Sequence, residues 1–363
     1  MTGAVLVTGA LGHVGSTTVR ELVADGTKVV ATDVLTDANR KVVGKLPKRA
    51  STYWADLTDA DAVERMVADI EPSAIVHLAA VIPPSCYCNP TLARKVNVEG
   101  TAALIAAAQR LSSRSRFVQA SSVAVYGPRN PYLTSDLLGP ETPFSPIDTY
   151  GQHKVEAESL VRSFALDWVI LRLGAVLDTN LFALTTDADA LLMEWALPAD
   201  GRINTVDVRD VATGFRAAVT ADVVGEVLMI GGDESHRLLQ RDVGSGLVGA
   251  TGLAGAYPVG RPGDPERPDA WFVCDWMDTA RAQASLEFQN HSWPDMLAQV
   301  RAKAGVWRFP LHVLAPVLVP VIRTVLHRRS PYRGRPGIFA DPWGILAGAL
   351  RAFTDACADV GSA

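Results

Sequence analysis

Val5-Leu6-Val7-Thr8-Gly9-Ala10-Leu11-Gly12-His13-Val14-Gly15 decides the fold. A short apolar strand runs directly into three glycines. A helical pattern follows, with Val14, Val19, Leu22 and Val23 on one face and Gly26 as the stop. In a dinucleotide-binding turn the three glycines play different parts. Gly9 makes the tight turn, Gly12 allows close backbone approach to a pyrophosphate, and Gly15 allows close packing of helix on strand. The helix start then offers unpaired N–H groups and a positive dipole end to phosphate. Asp33 closes the next apolar strand, 18 residues beyond Gly15. A carboxylate there accepts both hydroxyls of an adenosine ribose and repels a 2′-phosphate. The expected cofactor is therefore NAD, with NADP less favoured. Arg40 and Lys41, a few residues on, are expected on a solvated loop.

Outward from this turn, apolar strands are expected at 4–8, 29–33, 52–55, 74–78, 117–120 and 168–172, with helices at 14–24, 59–69, 91–110 and 150–164. Short apolar strands alternating with helices read as an α/β protein, a doubly wound parallel (Rossmann) sheet covered on both faces. The rhythm breaks at 178–201, read as an irregular or helical insertion, and resumes with a helix at 207–220 and a strand at 226–230. Six of the eight tryptophans lie beyond residue 190. The expected organisation is a nucleotide-binding unit at 1–176 and 203–232, a smaller discontinuous substrate lobe at 177–202 and 233–304, and an extension at 305–363, apolar then basic. The chain has 363 residues, 48% hydrophobic and 20% charged, with a net charge of −5. That rules against disorder and against a basic nucleic-acid binder. Four cysteines form no disulfide framework and no metal-binding pattern. With no basic-then-apolar leader before Val5, a cytoplasmic location is expected.

Tyr150-Gly151-Gln152-His153-Lys154 sets a phenol and an ammonium four residues apart on one helix face. A free phenol, with a pKa of about 10, is a poor base. A neighbouring ammonium and a positively charged nicotinamide stabilise the phenolate. Such a group can exchange a proton with a substrate alcohol or carbonyl. Ala120-Ser121-Ser122 ends a strand at the carboxyl edge of the sheet, where Ser122 can orient a substrate oxygen toward Tyr150. Asp56-Leu57, after the third strand, suits the adenine side; alone, Asp56 reads equally as a helix N-cap.

Together these pieces resemble the extended short-chain dehydrogenase/reductase (NAD-dependent epimerase/dehydratase-like) family. The resemblance rests on Thr8-Gly9-x-x-Gly12-x-x-Gly15, Asp56-Leu57, His77-Leu78-Ala79-Ala80, Asn97-Val98-Glu99-Gly100-Thr101, Ser121-Ser122 through Tyr126-Gly127, and Tyr150-x-x-x-Lys154. Leu171-Arg172 and Val208-x-Asp210-Val211-Ala212 continue it, to about residue 304. It implies Ser122, Tyr150 and Lys154 as a catalytic triad, with Lys154 also on the nicotinamide ribose. It also implies cofactor contacts from Leu11, His13 and Val14 in the glycine turn and from the backbone of Leu78, Ala79 and Ala80. Asn97 would touch the cofactor or support the active-site helix, and Leu173 would pass the nicotinamide. The helices at 91–110 and 150–164 would pair in a homodimer.

Departures from the sugar-nucleotide pattern steer the function. Ala175 stands where such enzymes commonly carry an Asn for the substrate diphosphate, and Val123 where many dehydratases carry an acid. The insertion 178–201 has no Arg or Lys; Arg237, Arg241 and Arg261 come later and read as surface residues. The expectation is hydride transfer between NAD and a small secondary alcohol or ketone. Alternatives are a sugar-nucleotide epimerase/dehydratase and, in another class, a non-catalytic NAD-binding sensor or scaffold. Trp195, Trp271 and Trp276 fit either a substrate lobe or a core. Cys86 and Cys88 sit in a loop bordering the site, with either a redox role or none. The stretch 309–322 lacks charge but contains Pro310, Pro316 and Pro320, and reads as too short and too broken for a membrane span. A basic run to Arg335 follows. The segment 309–335 is expected either to touch a membrane surface peripherally or cover an apolar pocket, or else to pack on the body or a second subunit.

Overall fold

The computed structural model describes residues 3–179 and 194–347, so most of the 178–201 insertion lies outside the described residues. The glycine turn sits where the sequence places it, between β1 (Val5–Thr8) and α1 (His13–Ala24). Next come β2 (Val29–Asp33), α2 (Asp37–Val43), β3 (Ser51–Trp54), α3 (Ala60–Ile70) and β4 (Ala74–His77). After β4 the chain forms α4 (Ser85–Cys88), α5 (Pro90–Arg94) and α6 (Gly100–Gln109), then β5 (Arg116–Ser122), α7 (Thr149–Ser163) and β6 (Asp167–Leu173). The single helix expected at 91–110 is divided by a π-helical turn at Lys95–Glu99, which buries Asn97 and Val98. Arg40 and Lys41 lie in the last turn of α2, a helix with no buried residue, rather than on a loop.

Completing the order are β7 (Ala175–Leu177), β8 (Arg202–Asp207), β9 (Val227–Ile230) and β10 (Arg237–Leu239). Seven strands form one parallel sheet in the order β3-β2-β1-β4-β5-β6-β9. The order reverses between β1 and β4, and open α/β sheets bind ligands in the crevice at that reversal. Strand residues are buried on both faces: Val5, Val7, Val76, Val118 and Val169 toward α1 and the helix Val208–Ala218; Leu6, Ile75, Phe117 and Ile170 toward α3 and α6. That two-sided burial is why these strands read as continuous apolar runs.

β7 and β8, which flank the insertion and were expected with the nucleotide-binding unit, instead pair with β10 in a separate three-stranded sheet. Against it pack the helices Gln240–Ala250 and Trp293–Ala304 through Val243, Leu247, Trp293, Met296 and Val300. Asp210 accepts hydrogen bonds from the Asn290 and His291 amides and pairs with His291 Nδ1 at 2.6 Å, tying the late segment to the main sheet. Trp271 and Trp195 are buried core residues, and Trp276 lies against the Arg202 guanidinium.

The expectation for 309–322 needs correcting. One 22-residue helix, Arg308–Arg329, runs through Pro316 and Pro320. Each internal proline removes a single backbone donor, and the helix continues past both. Pro310 sits in the first turn, where no intrahelical bond is lost. The following chain returns to the body: Tyr332 donates to the Ala196 carbonyl at 2.6 Å and Trp343 Nε1 to that of Trp271 at 3.1 Å.

Beneath the crevice, His77 lies between Thr8 Oγ1 (2.7 Å) and Thr101 Oγ1 (2.9 Å), fully buried. Burial, assisted by the Lys154 charge, lowers its imidazole to about 3. Between that value and the unfolded pKa near 6.5, the unfolded chain holds a proton the native state lacks. This contribution to stability is complete above about pH 6.5 and falls by up to ~1.4 kcal/mol per pH unit as pH drops toward 3. Urea unfolding of His77→Asn is expected to lose that slope; a slope equal to the parent's refutes the assignment.

Candidate active site

A cleft of about 890 Å³ runs along the carboxyl edge of the sheet, from Asp33 and Asp56 at one end to Ser122, Tyr150 and Lys154 at the other. Its floor is the glycine turn. A Cβ on Gly15 would land on the Gly9 carbonyl oxygen and come within 2.8 Å of Ala10 Cα, so only glycine lets α1 start this close to β1. Leu11, Gly12, His13 and Val14 line the same stretch, with Gly12 as N-cap of α1 and no side chain occupying its free N–H groups.

Asp33 is held rigidly. Its Oδ2 accepts from the Leu11 amide at 3.0 Å, and its Oδ1 from the Val34 amide at 2.9 Å and Asn39 Nδ2 at 3.3 Å. Burial raises its pKa, with these hydrogen bonds opposing the rise. The carboxylate remains on the cleft wall. Asp56 is not the cap of α3: Asp59 is, accepting from the Ala62 amide. Asp56 instead accepts from the Thr58 amide and hydroxyl at 2.9 and 2.8 Å, shaping the turn that brings Leu57 to the cleft.

Leu78, Ala79 and Ala80 follow β4 along the opposite wall. Asn97 does not line the cleft. From the π-helical turn its Oδ1 accepts from the Val81 amide at 2.7 Å, and its Nδ2 donates to the Val81 carbonyl at 2.9 Å. It clasps the 78–81 backbone from behind, because an amide side chain matches both polar groups of one residue. Leu173 ends β6 beside Ser122, its sheet partner.

Helix α7 carries Tyr150 and Lys154 because Asp148 caps it, accepting from the Tyr150 and Gly151 amides at 3.1 and 3.3 Å. A Cβ on Gly151 would sit 2.5 Å from the Ala124 carbonyl oxygen. Glycine there lets the helix start lie against the turn after Ser122. Ser122 Oγ accepts from the Ala124 amide at 3.2 Å and lies beside Tyr150. Lys154 Nζ donates to the Ala120 carbonyl at 2.9 Å and lies 5.6 Å from the Tyr150 ring centre. The expected lowering of the phenol pKa is not what the protein alone produces. Burial, with Cys86 and Asp148 nearby, pushes Tyr150 up, and Ser122 offsets part of the rise. Burial also lowers Lys154 to about 8.

Two features escaped the sequence reading. Tyr87 in α4 donates to Asp148 Oδ2 at 2.7 Å, joining the Cys86–Cys88 segment to the cap of α7. Cys86 is buried and its thiol is pushed up to about 12, chiefly by burial, which leaves it a packed apolar group rather than a nucleophile. Behind the site, Arg172 and Glu158 form a fully buried two-bond pair at 2.9 and 2.7 Å. Glu158 also accepts from Ser121 at 2.6 Å, and Arg172 donates to the Tyr126 hydroxyl and the Pro140 carbonyl. The Leu171-Arg172 pair marked the position in the sequence, but nothing in its spacing named Glu158 as partner. Among the described residues no group of His, Cys, Asp or Glu could hold a metal.

Residues 5–183 match the model of the NAD dependent epimerase/dehydratase family. Over these residues, just under half of the chain, it is similar to that family, which falls within the extended short-chain dehydrogenases/reductases. A UDP-glucose 4-epimerase of Lactobacillus helveticus is 35% identical over 159 residues, covering 43% of this chain and 46% of the relative. A D-erythronate dehydrogenase of Cupriavidus necator is 30% identical over 192 residues, 47% and 55% of the two chains. The chain thus spans about half the length of the curated relatives it matches. In fold it is similar to the Thermus thermophilus UDP-glucose 4-epimerase solved with NAD: TM-score 0.66 and 23% identity, over 84% of this chain and 99% of that one.

Proposed function

We propose that the protein is an NAD-dependent oxidoreductase that moves a hydride between the nicotinamide and a secondary alcohol or ketone, with Tyr150 as acid/base. One observation carries this reading: Ser122, Tyr150 and Lys154 converge at one end of the cleft whose other end is Asp33 and the glycine turn. Bound NAD supplies the hydride acceptor, and its reduced form the donor. In oxidation, Tyr150 must first be deprotonated; the alcohol O–H bond breaks as its proton passes to the phenolate, and the carbinol C–H pair leaves as hydride to the nicotinamide. Ketone reduction is the reverse. Ser122 donates to and orients the substrate oxygen; Lys154 provides positive charge beside the phenol. Because burial keeps Tyr150 protonated, the resting site is poised to give a proton to a carbonyl. Ile82, Pro83, Leu92 and Val96 border the cleft, and Ala175 offers no side-chain donor for a diphosphate. Arg261 is engaged with carbonyls of the C-terminal segment. A small, weakly charged substrate follows.

The similarity to UDP-glucose 4-epimerases favours a second reading, in which the same residues oxidise and re-reduce a sugar nucleotide. An assay with polyols, hydroxy acids, ketones and UDP-hexoses, following NADH absorbance together with product epimers, separates the two. Net NADH change supports the first; epimer exchange without net NADH supports the second. Binding of NAD without either conversion supports a sensor or scaffold. A homodimer through the helical stretches 91–110 and 150–164 belongs to the same proposal.

Asp33 provides a sharper test of the cofactor. The parent is expected to bind NAD well ahead of NADP. Asp33→Ala should weaken NAD by roughly ten- to a hundredfold, as for lost hydrogen bonds to a charged group, and narrow the preference. Fluorescence titration with both cofactors checks this; equal binding by the parent overturns it.

A further inference from the structure

The Arg308–Arg329 helix carries no Asp, Glu, Lys or Arg between Phe309 and Ile322. Val313, Val317 and Val321 are more than half exposed, at 75%, 68% and 57%, and the helix has no buried residue. Leu311, Ala315 and Ile322, on another face, are only partly covered. A helix with this pattern is normally enclosed by a protein core or by lipid. At 22 residues it is ~33 Å long, enough to cross a bilayer, and its composition would permit that.

Its ends forbid it. The preceding helix, Trp293–Ala304, is packed into the small lobe through Trp293, Met296 and Val300. A Cβ on Gly252 of the same lobe would lie 2.7 Å from the Arg308 carbonyl, so the helix starts against that lobe. At the far end, Leu326 and His327 share a cavity of about 370 Å³ with Trp195, Pro258 and Val259. The chain beyond is fastened to the same lobe by Tyr332 and Trp343. Both ends are on one body, so the helix lies along it, and among the described residues nothing covers its outer face.

Charge identifies what covers that face. Residues 296–340 contain eight Lys/Arg and no Asp/Glu, in a chain of net charge −5. Arg323, Arg328 and Arg329 cluster on the helix's last turns, and Arg333 and Arg335 wall the adjoining cavity. A second copy meeting this face about a twofold axis would bring the same basic patch against itself. An anionic lipid surface takes both halves of the pattern: acyl chains accept the valines and headgroup phosphates the arginines. Trp307, 74% exposed at the start of the helix, has the amphipathic ring favoured at a membrane interface. We infer that the protein is a monotopic membrane protein whose Arg308–Arg329 helix lies in the plane of an anionic lipid surface. The inference stands independently of the enzymatic reading.

The test is flotation of the full chain with vesicles of phosphatidylcholine alone or mixed with phosphatidylglycerol, at low and high salt. Binding is expected with the anionic vesicles and should weaken with salt. Arg328→Gln with Arg329→Gln should reduce it roughly twenty-five-fold, at about fivefold per arginine. Val317→Glu with Val321→Glu should abolish it while thermal melting and NAD binding stay unchanged, since both side chains point outward. Absence of flotation by the parent with anionic vesicles at low salt overturns the inference. So does flotation that survives the two glutamates, or glutamates that only turn a dimer into monomers. Trypsin added outside the vesicles should cut near both Lys303 and Arg333; protection of one flank means a crossing helix and also overturns it.

Discussion

Tyr150→Phe is expected to lower turnover by about a hundred- to ten-thousand-fold, the usual contribution of a positioned acid/base, while NAD binding persists. The substitution removes one oxygen from a ring held by α7, and its consequences for structure are small. The Asp148 cap uses backbone amides of Tyr150 and Gly151, and Lys154 is anchored on the Ala120 carbonyl rather than on the phenol. The loss therefore belongs in kcat with little change in cofactor affinity. Steady-state kinetics combined with NAD titration checks both halves. Retention of more than a tenth of the activity would remove Tyr150 from its role. A fall in kcat together with lost NAD affinity would instead mean that the residue maintains the cleft.

The second large effect concerns stability. Arg172→Met should cost about 3–5 kcal/mol, the usual result of stripping one partner from a buried ion pair. Glu158 would stay buried with Arg162, at 2.8 Å from its Oε2, as its remaining cation, which argues for the lower end of that range. Adding Glu158→Gln should recover part of the loss, because the uncompensated charge is then gone. Guanidinium unfolding of the parent, the single and the double variant measures this. If the double variant is no more stable than Arg172→Met, the loss comes from the Tyr126 and Pro140 contacts of Arg172 instead. The network joins β5, α7 and β6, the three elements that set Ser122 against Tyr150, so the unrepaired variant should also lose activity.

Much of the nucleotide-binding unit was legible because its signals are local. Val5–Thr8, the glycine turn and α1 are contiguous in sequence, and a strand buried on both faces leaves an unbroken apolar run. Asp33 and Ser122 were easy to place because they end apolar strands, and Tyr150 and Lys154 because they lie one turn apart near the start of a helix. What escaped depends on long-range pairing. Glu158 and Arg172 meet only because α7 packs beside β6, and Tyr87 meets Asp148 across 61 residues. The resemblance left Asn97 either at the cofactor or supporting the active-site helix; its side chain bonds both polar groups of the Val81 backbone, a pairing that no spacing announces. Edge strands as short as β7 and β10, three residues each, leave too little alternation to read. The helix through Pro316 and Pro320 shows the converse error, a strong local breaker outweighed by the rest of a long apolar segment.

Arg261 gives the tail another meaning. Its guanidinium donates to the carbonyls of Tyr332 (3.3 Å), Arg335 (2.9 Å), Pro336 (3.4 Å) and Phe339 (3.5 Å), and lies 4.6 Å from the Tyr332 ring centre. One side chain thus gathers eight residues of backbone that have no sheet or helix to satisfy them. Shortening the chain after the Arg308–Arg329 helix would leave that cation, the Ala196 carbonyl and the Phe272 ring, stacked under Trp343 at 5.4 Å, all uncovered together. The segment works as a buckle rather than an appendage, and a trimmed version should be handled as a different folding unit.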